Sequence, residues 1–205
     1  DMLPDDTTRA DVFPVARRAA DWLWSANATV ALGPRTNLRF AGFRSVARPD
    51  AREASPDSYV PVVGACSHRG NSGIQRSAIL NADARLEFYR RPGEIVSVSG
   101  FYKGFDAPIV EVVVVPGGAQ CQVTYINGLT AFNYGIELEA RRELPIRGLL
   151  AGVNVTLVQS GVAIDSVFGV YDPDLPLQGQ SPFLINGSLA WATPSGRLNA
   201  SLLAN

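Results

Sequence analysis

Leu80-Asn81-Ala82-Asp83-Ala84-Arg85-Leu86-Glu87-Phe88-Tyr89 alternates almost without a break. Leu80, Ala82, Ala84, Leu86 and Phe88 fall on one side of an extended chain, and Asn81, Asp83, Arg85, Glu87 and Tyr89 on the other. A β-strand has a side-chain period of two, so one face is apolar and the other polar and charged. A soluble sandwich can use such a strand. Two further properties point elsewhere. The pattern recurs in about seven more segments, and the connections between them alternate short and long. Together these describe a transmembrane β-barrel, which turns apolar side chains to lipid and polar ones to a watery lumen.

Eight strands are predicted, at roughly 25–32, 37–46, 79–89, 94–104, 131–142, 148–159, 182–191 and 197–204. Each keeps a consistent apolar set. Val96, Val98 and Tyr102 alternate with Ser97, Ser99 and Lys103; Tyr134, Ile136, Leu138 and Ala140 alternate with Asn133, Glu137, Glu139 and Arg141. Ala151, Val153, Val155 and Leu157 alternate with Asn154 and Thr156, and Phe183, Ile185, Leu189 and Trp191 with Asn186 and Ser188. Four connections are tight: Gly33–Thr36, Arg90–Gly93, Glu143–Arg147 and Thr193–Gly196. Each contains Pro and three contain Gly, as turns require. Three connections are long, about 47–78, 105–130 and 160–181, and rich in Pro, Gly, Asp and Ser. Compact soluble domains seldom hold several loops of that length, whereas outer-membrane barrels join strands by short periplasmic turns and longer external loops. Trp22, Trp24, Phe88, Tyr89, Tyr102 and Trp191 lie near strand ends, where aromatic girdles are expected.

Composition narrows the partners. The 205 residues carry a net charge of -1, without the basic excess that nucleic acid would favour. Hydrophobic residues make up 46%, yet no stretch of about 18 apolar residues exists, so a helical membrane span is excluded while barrel strands are not. The chain opens Asp1-Met-Leu-Pro-Asp-Asp6 with no signal peptide, and it stops in mid-alternation at Leu198–Asn205; both features predict a piece of something longer. Cys66 and Cys121 fall in two of the long connections. They are either a loop-to-loop disulfide outside the cytosol or two unrelated thiols, a choice that only geometry makes. With His68 the only histidine and no Cys-x-x-Cys spacing, a zinc site is not expected.

Several segments resemble TonB-dependent outer-membrane receptors. They are Arg35-Thr-Asn-Leu-Arg-Phe-Ala-Gly-Phe-Arg-Ser-Val-Ala-Arg-Pro-Asp50, then Gly70-Asn71 and Gln75-Arg-Ser77 leading into Ile79–Tyr89. The phrases Arg91–Lys103, Tyr134–Arg142 and Leu177–Phe183 are similar to later parts of the same barrels. The likeness runs in order over nearly the whole chain. It departs from the family pattern at Gly42, where a Tyr is usual, at Ser72, where Pro follows Gly-Asn, and through residues 61–73. The resemblance implies an all-β fold, an antiparallel portion of a barrel of about 22 strands with a plugged lumen. Residues 1–205 would then be a partial barrel domain without plug, signal peptide or final strand. It further implies the outer membrane of a Gram-negative bacterium, and uptake of a nutrient such as a metal chelate or carbohydrate. Lipid, an unknown small-molecule ligand and the TonB energy-coupling complex would be the partners, the last through a plug absent from this chain. Nucleic acid would not be one.

No catalytic, cofactor-binding or metal-binding residue is assigned, and no enzyme is expected. Glu137, Glu139, Asp83 and Glu87 invite a glycosidase reading, but carboxylates on one strand face do not oppose each other across a cleft. With Arg85 and Arg141 beside them they read as a charge ladder in a polar lumen. Asn27, Asn154, Asn186 and Asn199 match the glycosylation pattern but lie inside predicted strands, where polar alternation creates such triplets by chance. Ser67-His68 reads as a polar loop tip, Gly117-Gly118 as a turn, and Asp172-Pro-Asp174 as too few carboxylates to name a cation. Val112–Val115 reads as a β-extension above the membrane or as a strand of an external hairpin. The rival fold is a soluble β-sandwich serving as a carbohydrate-binding or adhesion module, whose apolar faces would pack on each other. The many small residues of the apolar sets, among them Ala26, Ala28, Ala82, Ala84 and Ala200, suit lipid better than an interlocking core. A complete eight-stranded barrel is a third possibility.

Overall fold

The computed structural model describes residues 20–114, 121–165 and 176–205. In chain order its elements are β1 (Ser25–Gly33), β2 (Thr36–Ala47), the short helix α1 (Ala51–Ala54), β3 (Ser58–Tyr59), β4 (Ser67–Arg69), β5 (Ser77–Phe88), β6 (Ile95–Asp106), β7 (Ile109–Val114), β8 (Gln122–Asn127), β9 (Thr130–Glu143), β10 (Leu149–Ala163), β11 (Phe183–Ala192) and β12 (Asn199–Ala204). All eight predicted strands are present, within a few residues of their expected ends. They form one antiparallel sheet in the order β1-β2-β5-β6-β9-β10-β11-β12, each wall strand beside the next wall strand in the chain. That is an up-and-down wall. Among the described residues β1 and β12 each have one neighbour, so these eight strands do not close on themselves as a small complete barrel would.

The register converts the sequence alternation into two surfaces. Val30, Leu38, Leu86, Val98, Leu138, Val155 and Ile185 are successive cross-strand partners over seven strands. The adjacent row reads Ala31, Asn37, Glu87, Ser97, Glu139, Asn154 and Asn186. Neighbouring strands therefore agree on which side is apolar. Such agreement is what strict period-two patterning enforces, because a one-residue slip would exchange the faces.

Burial is inverted relative to a water-soluble protein. Leu86 and Phe88 are 41% and 46% exposed, whereas Glu87 between them and Asn81 earlier in the same strand are 5% and 4% exposed. A sandwich would bury the leucines and expose the glutamate. Here the apolar side is the exposed surface and the polar side is covered by its own neighbours, as on the lipid-facing and lumen-facing sides of a barrel.

The tight turns obey local backbone chemistry. Gly93, Gly148 and Gly196 have positive φ values of 86°, 79° and 67°, a region that L side chains disfavour. At the opposite end the long connections are not structureless. They contribute α1 and a second sheet, ordered β3-β4-β8-β7, which stands above the wall. No helix among the described residues is long and apolar enough to cross a membrane, which leaves crossing by strands untouched.

Outward aromatic residues take up two levels. Phe88 and Trp191 lie at the feet of β5 and β11. Tyr102 and Tyr134, cross-strand partners, lie seven and nine residues above the feet of β6 and β9. At about 3.3 Å per residue and a tilt of about 40°, that is roughly 18–23 Å of height, close to the apolar band of outer-membrane barrels. Trp24 precedes β1, and its indole lies over Gly42, 3.6 Å from where a Cβ would stand. The outward space that a tyrosine at 42 would fill is thus covered by the neighbouring strand's tryptophan. Tyr89 follows its place in the alternation and not its aromatic type. It shares the lumen side with Glu87, and its hydroxyl donates to the Glu87 carboxylate at 2.9 Å, so it is not an outward girdle residue.

Candidate ligand-facing surface

Two long connections meet in the upper sheet. Residues 48–76 supply β3 and β4, residues 107–129 supply β7 and β8, and β4 runs parallel to β8 with Ser67 opposite Gln122. The Ser67 N–H donates to the Cys121 carbonyl at 3.1 Å. Cys66 and Cys121 are joined by a disulfide with 4.8 Å between their Cα atoms. Of the two alternatives the sequence left open, the structure takes the covalent one.

Below the disulfide, side-chain amides continue the join. Asn127 accepts from the Gln75 N–H at 2.7 Å and donates to the Gln75 carbonyl at 2.9 Å and the Ala107 carbonyl at 3.0 Å. Asn71 donates to the Tyr125 carbonyl at 3.0 Å, while its own N–H donates to the Glu53 carbonyl at 2.7 Å. Helix α1 is held by a reciprocal cap: Asp50 accepts from the N–H groups of Arg52 and Glu53, and Glu53 accepts from the Asp50 N–H. Gly70 passes so close to the α1 carbonyls that a Cβ there would stand about 2.2 Å from those of Arg52 and Ser55. Under the sheet lies a small apolar core of Ala131, Val162 and Ile164 with Phe105, Val110, Val112, Ile126 and Leu177. Burial, and then the charge of Glu111, push the Tyr125 phenol above its ordinary pKa, so it stays a neutral hydroxyl.

The outer surface of this sheet carries a stack. His68 lies on Tyr59 with ring centroids 5.3 Å apart, and the Arg52 guanidinium sits 5.8 Å from the Tyr59 centroid. Ser67 and His68 are therefore consecutive strand residues on opposite sides of β4, not a nucleophile and its base. The expected polar loop tip is a half-buried strand.

On the wall below, the charged residues form a connected row. Arg39 donates to Glu87 at 2.7 Å; Arg85 donates to Glu87 at 3.0 Å, to Glu139 at 2.6 Å and to Ser99 at 3.2 Å. Glu137 accepts from Asn154. Glu87, Glu137 and Glu139 are thus each neutralised or hydrogen-bonded by a neighbour on the same face, as part of the ladder expected from sequence, whereas Arg141 donates to the Gly93 carbonyl at 2.9 Å and not to a carboxylate. Asn27, Asn154, Asn186 and Asn199 all lie within strands on that face. The third long connection touches the wall from above. The Leu177 N–H donates to Ser160 at 3.0 Å, and Asn133 donates to Gln180 at 2.9 Å. Val115, Gly117-Gly118 and Asp172-Pro-Asp174 lie outside the described residues. Among the described residues, no three His, Cys, Asp or Glu side chains cluster as metal ligands would.

The family description "TonB dependent receptor-like, beta-barrel" matches residues 4–204. The chain belongs to the TonB-dependent receptor β-barrel family. Its fold is that of a portion of such a barrel, and the family is one of receptors and transporters, not enzymes. The siderophore receptor PirA from Pseudomonas aeruginosa is 20% identical, with a TM-score of 0.63 over 89% of this chain and 33% of PirA. A mutant of the ferric enterobactin receptor PfeA of the same organism, in complex with enterobactin, is 21% identical, with a TM-score of 0.57 over 85% of this chain and 26% of PfeA. The FrpB iron transporter from Neisseria meningitidis is 12% identical, with a TM-score of 0.56 over 88% and 26%. No curated protein matches the chain. The chain spans about a third or less of the structures it resembles. At these identities the likeness concerns the fold of the TonB-dependent barrel.

The elements that sequence reasoning missed are α1, β3, β4 and β8. Two had legible signals. Asp50-x-x-Glu53 is a capping-box spacing, and in Gln122–Tyr125 the residues Val123 and Tyr125 alternate with Gln122 and Thr124. The parallel pairing of β4 with β8 had none, since it joins residues some 55 positions apart.

Proposed function

We propose that this chain is wall and external surface of an outer-membrane receptor that imports a scarce iron chelate in a Gram-negative bacterium. In the intact receptor a plug outside this chain would fill the lumen, and the TonB complex would act on that plug. The observation that carries this reading is the inverted wall, apolar outside and hydrogen-bonded charge inside, crowned by joined external loops. Family membership and the named functions of PirA, PfeA and FrpB favour an iron chelate over a carbohydrate. The chain's own contribution is a lipid-facing wall, a polar inner surface and a braced platform on which part of a ligand site can be built. A rigid platform holds contact residues in place without an ordering cost on binding.

The test is uptake. Cells lacking the gene that encodes this chain are grown under iron limitation and supplied with radiolabelled iron on a panel of chelators. Loss of import for one chelate, restored by the gene and abolished when TonB is deleted, is the expected result. Unchanged import for every chelate, with loss for a carbohydrate, would replace the iron reading by a sugar one.

A further inference from the structure

The short-turn end of the wall is strongly basic. Arg35 lies in the first turn, Arg90 and Arg91 in the second, Arg142 and Arg147 at the third and Arg197 in the fourth, all exposed. Their acidic company is sparse: Glu143 is exposed, and Glu94 is buried at 4% exposure, its carboxylate accepting from the Glu143 N–H at 3.2 Å. The other end is acidic. Residues 48–76, 107–129 and 160–181 hold four arginines and seven carboxylates, and Arg48 and Arg76 both pair with Asp21. The ion pairs of the described residues include none of the six turn arginines.

Position gives this charge a partner. Arg142 pairs with Ala151 in the row of outward residues that continues to Leu189, so it leaves the wall on the lipid side. It stands one residue from the foot of β9, as the girdle residue Trp191 stands one residue from the foot of β11. The Trp191 indole N–H donates to the Arg147 carbonyl at 3.2 Å, tying an interfacial aromatic to an arginine-bearing turn. An arginine at the edge of an apolar band extends its guanidinium to the headgroup level, where planar N–H donors match phosphate oxygens.

We propose that the four turns form a basic rim that binds the phosphates of anionic phospholipid headgroups in the periplasmic leaflet. The reading rests on the outer-membrane assignment made above. Spacing the charge over four consecutive turns serves a row of lipids better than one compact ligand.

The test uses the intact receptor carrying this chain, reconstituted in phosphatidylethanolamine bilayers. Its presence as a folded barrel is scored first, by heat-modifiable gel migration. Spin-labelled phosphatidylglycerol and spin-labelled phosphatidylethanolamine are then compared by the motionally restricted fraction of their spectra. The expected result is about threefold selectivity for phosphatidylglycerol at low salt, falling as salt screens the rim. The combined variant Arg91→Gln, Arg142→Gln and Arg147→Gln should lose at least half of that selectivity. The matching Arg→Lys variant should keep it, and Arg52→Gln with Arg69→Gln at the other end should leave it unchanged. If the glutamine variant does not fold, salt sensitivity of the wild type and retention in the lysine variant decide. A folded barrel with no selectivity, selectivity that ignores salt, or equal loss from the external pair would overturn the rim while leaving the receptor reading intact.

Discussion

Cys66 and Cys121 stand one step before Ser67 and Gln122 in a parallel strand pair, so their disulfide continues the register of the β4–β8 ladder. The bridge joins two different external connections. Pairing of β5 with β6 already closes most of the intervening chain, from Ser77 to Asp106. What the bridge constrains is the remaining tether of about 26 residues, roughly 3–4 kcal/mol in the chain-entropy picture. That stabilisation belongs to the upper sheet and not to the wall. Reduction, or Cys66→Ser with Cys121→Ser, should raise protease cleavage within 48–76 and 107–129 by about tenfold or more and leave the heat-modifiable gel shift in place. Equal protection with and without the bridge would place the stability elsewhere.

Asn127 is the second fastening. It meets both backbone polar groups of Gln75, as a neighbouring strand would. Asn127→Ala leaves those groups and the Ala107 carbonyl short of partners, a loss of about 1–3 kcal/mol where water does not replace them. Hydrogen exchange at the Gln75 amide should accelerate in that variant, while exchange at Leu138 stays slow.

The two faces of the wall should answer charge oppositely. Leu138 lies five residues above the foot of β9 and faces outward, near the middle of the apolar band. Leu138→Arg in the intact receptor should cost about 2–4 kcal/mol of folding into liposomes, and Asp83→Asn, on the lumen side, little. Similar costs for both changes would refute the face assignment.

Gly135 should tolerate nothing larger. A Cβ there would stand 2.3 Å from the Leu157 carbonyl and 2.7 Å from the ring of Phe101, its cross-strand partner. The ring covers the glycine, a pairing that restores packing to a bare strand position. Gly135→Val should destabilise the wall by about 1–3 kcal/mol, the usual scale of overpacking. Combining it with Phe101→Ala should recover part of the loss, although the Leu157 carbonyl still crowds the site. A denaturant titration of both variants measures this.

Legibility in the sequence followed the range of the interactions. The wall was readable because each strand states its own two faces, and hairpin neighbours are joined by turns of a few residues. The Gly93 and Gly196 turns were visible for the same reason. The loop platform was not, because β4 pairs with β8 and Asn71 with Tyr125 across tens of residues, where no local period carries information. Tyr89 shows the limit of reading by residue type. An aromatic at a strand foot suggested a girdle, but parity put it beside Glu87. The turn arginines form a third case, since their grouping appears only when four separate turns are brought to one end.

The register that places Glu87 between Asn37 and Ser97 also bears on assembly. If β5 inserted one residue out of step, Glu87, Arg85 and Asp83 would enter hydrocarbon together and Leu86 would face the lumen. Each such charge is heavily penalised in lipid, most near the bilayer centre. In the receptor proposed above, the bilayer would therefore act as a proofreader, rejecting misaligned hairpins before neighbouring strands can lock them in.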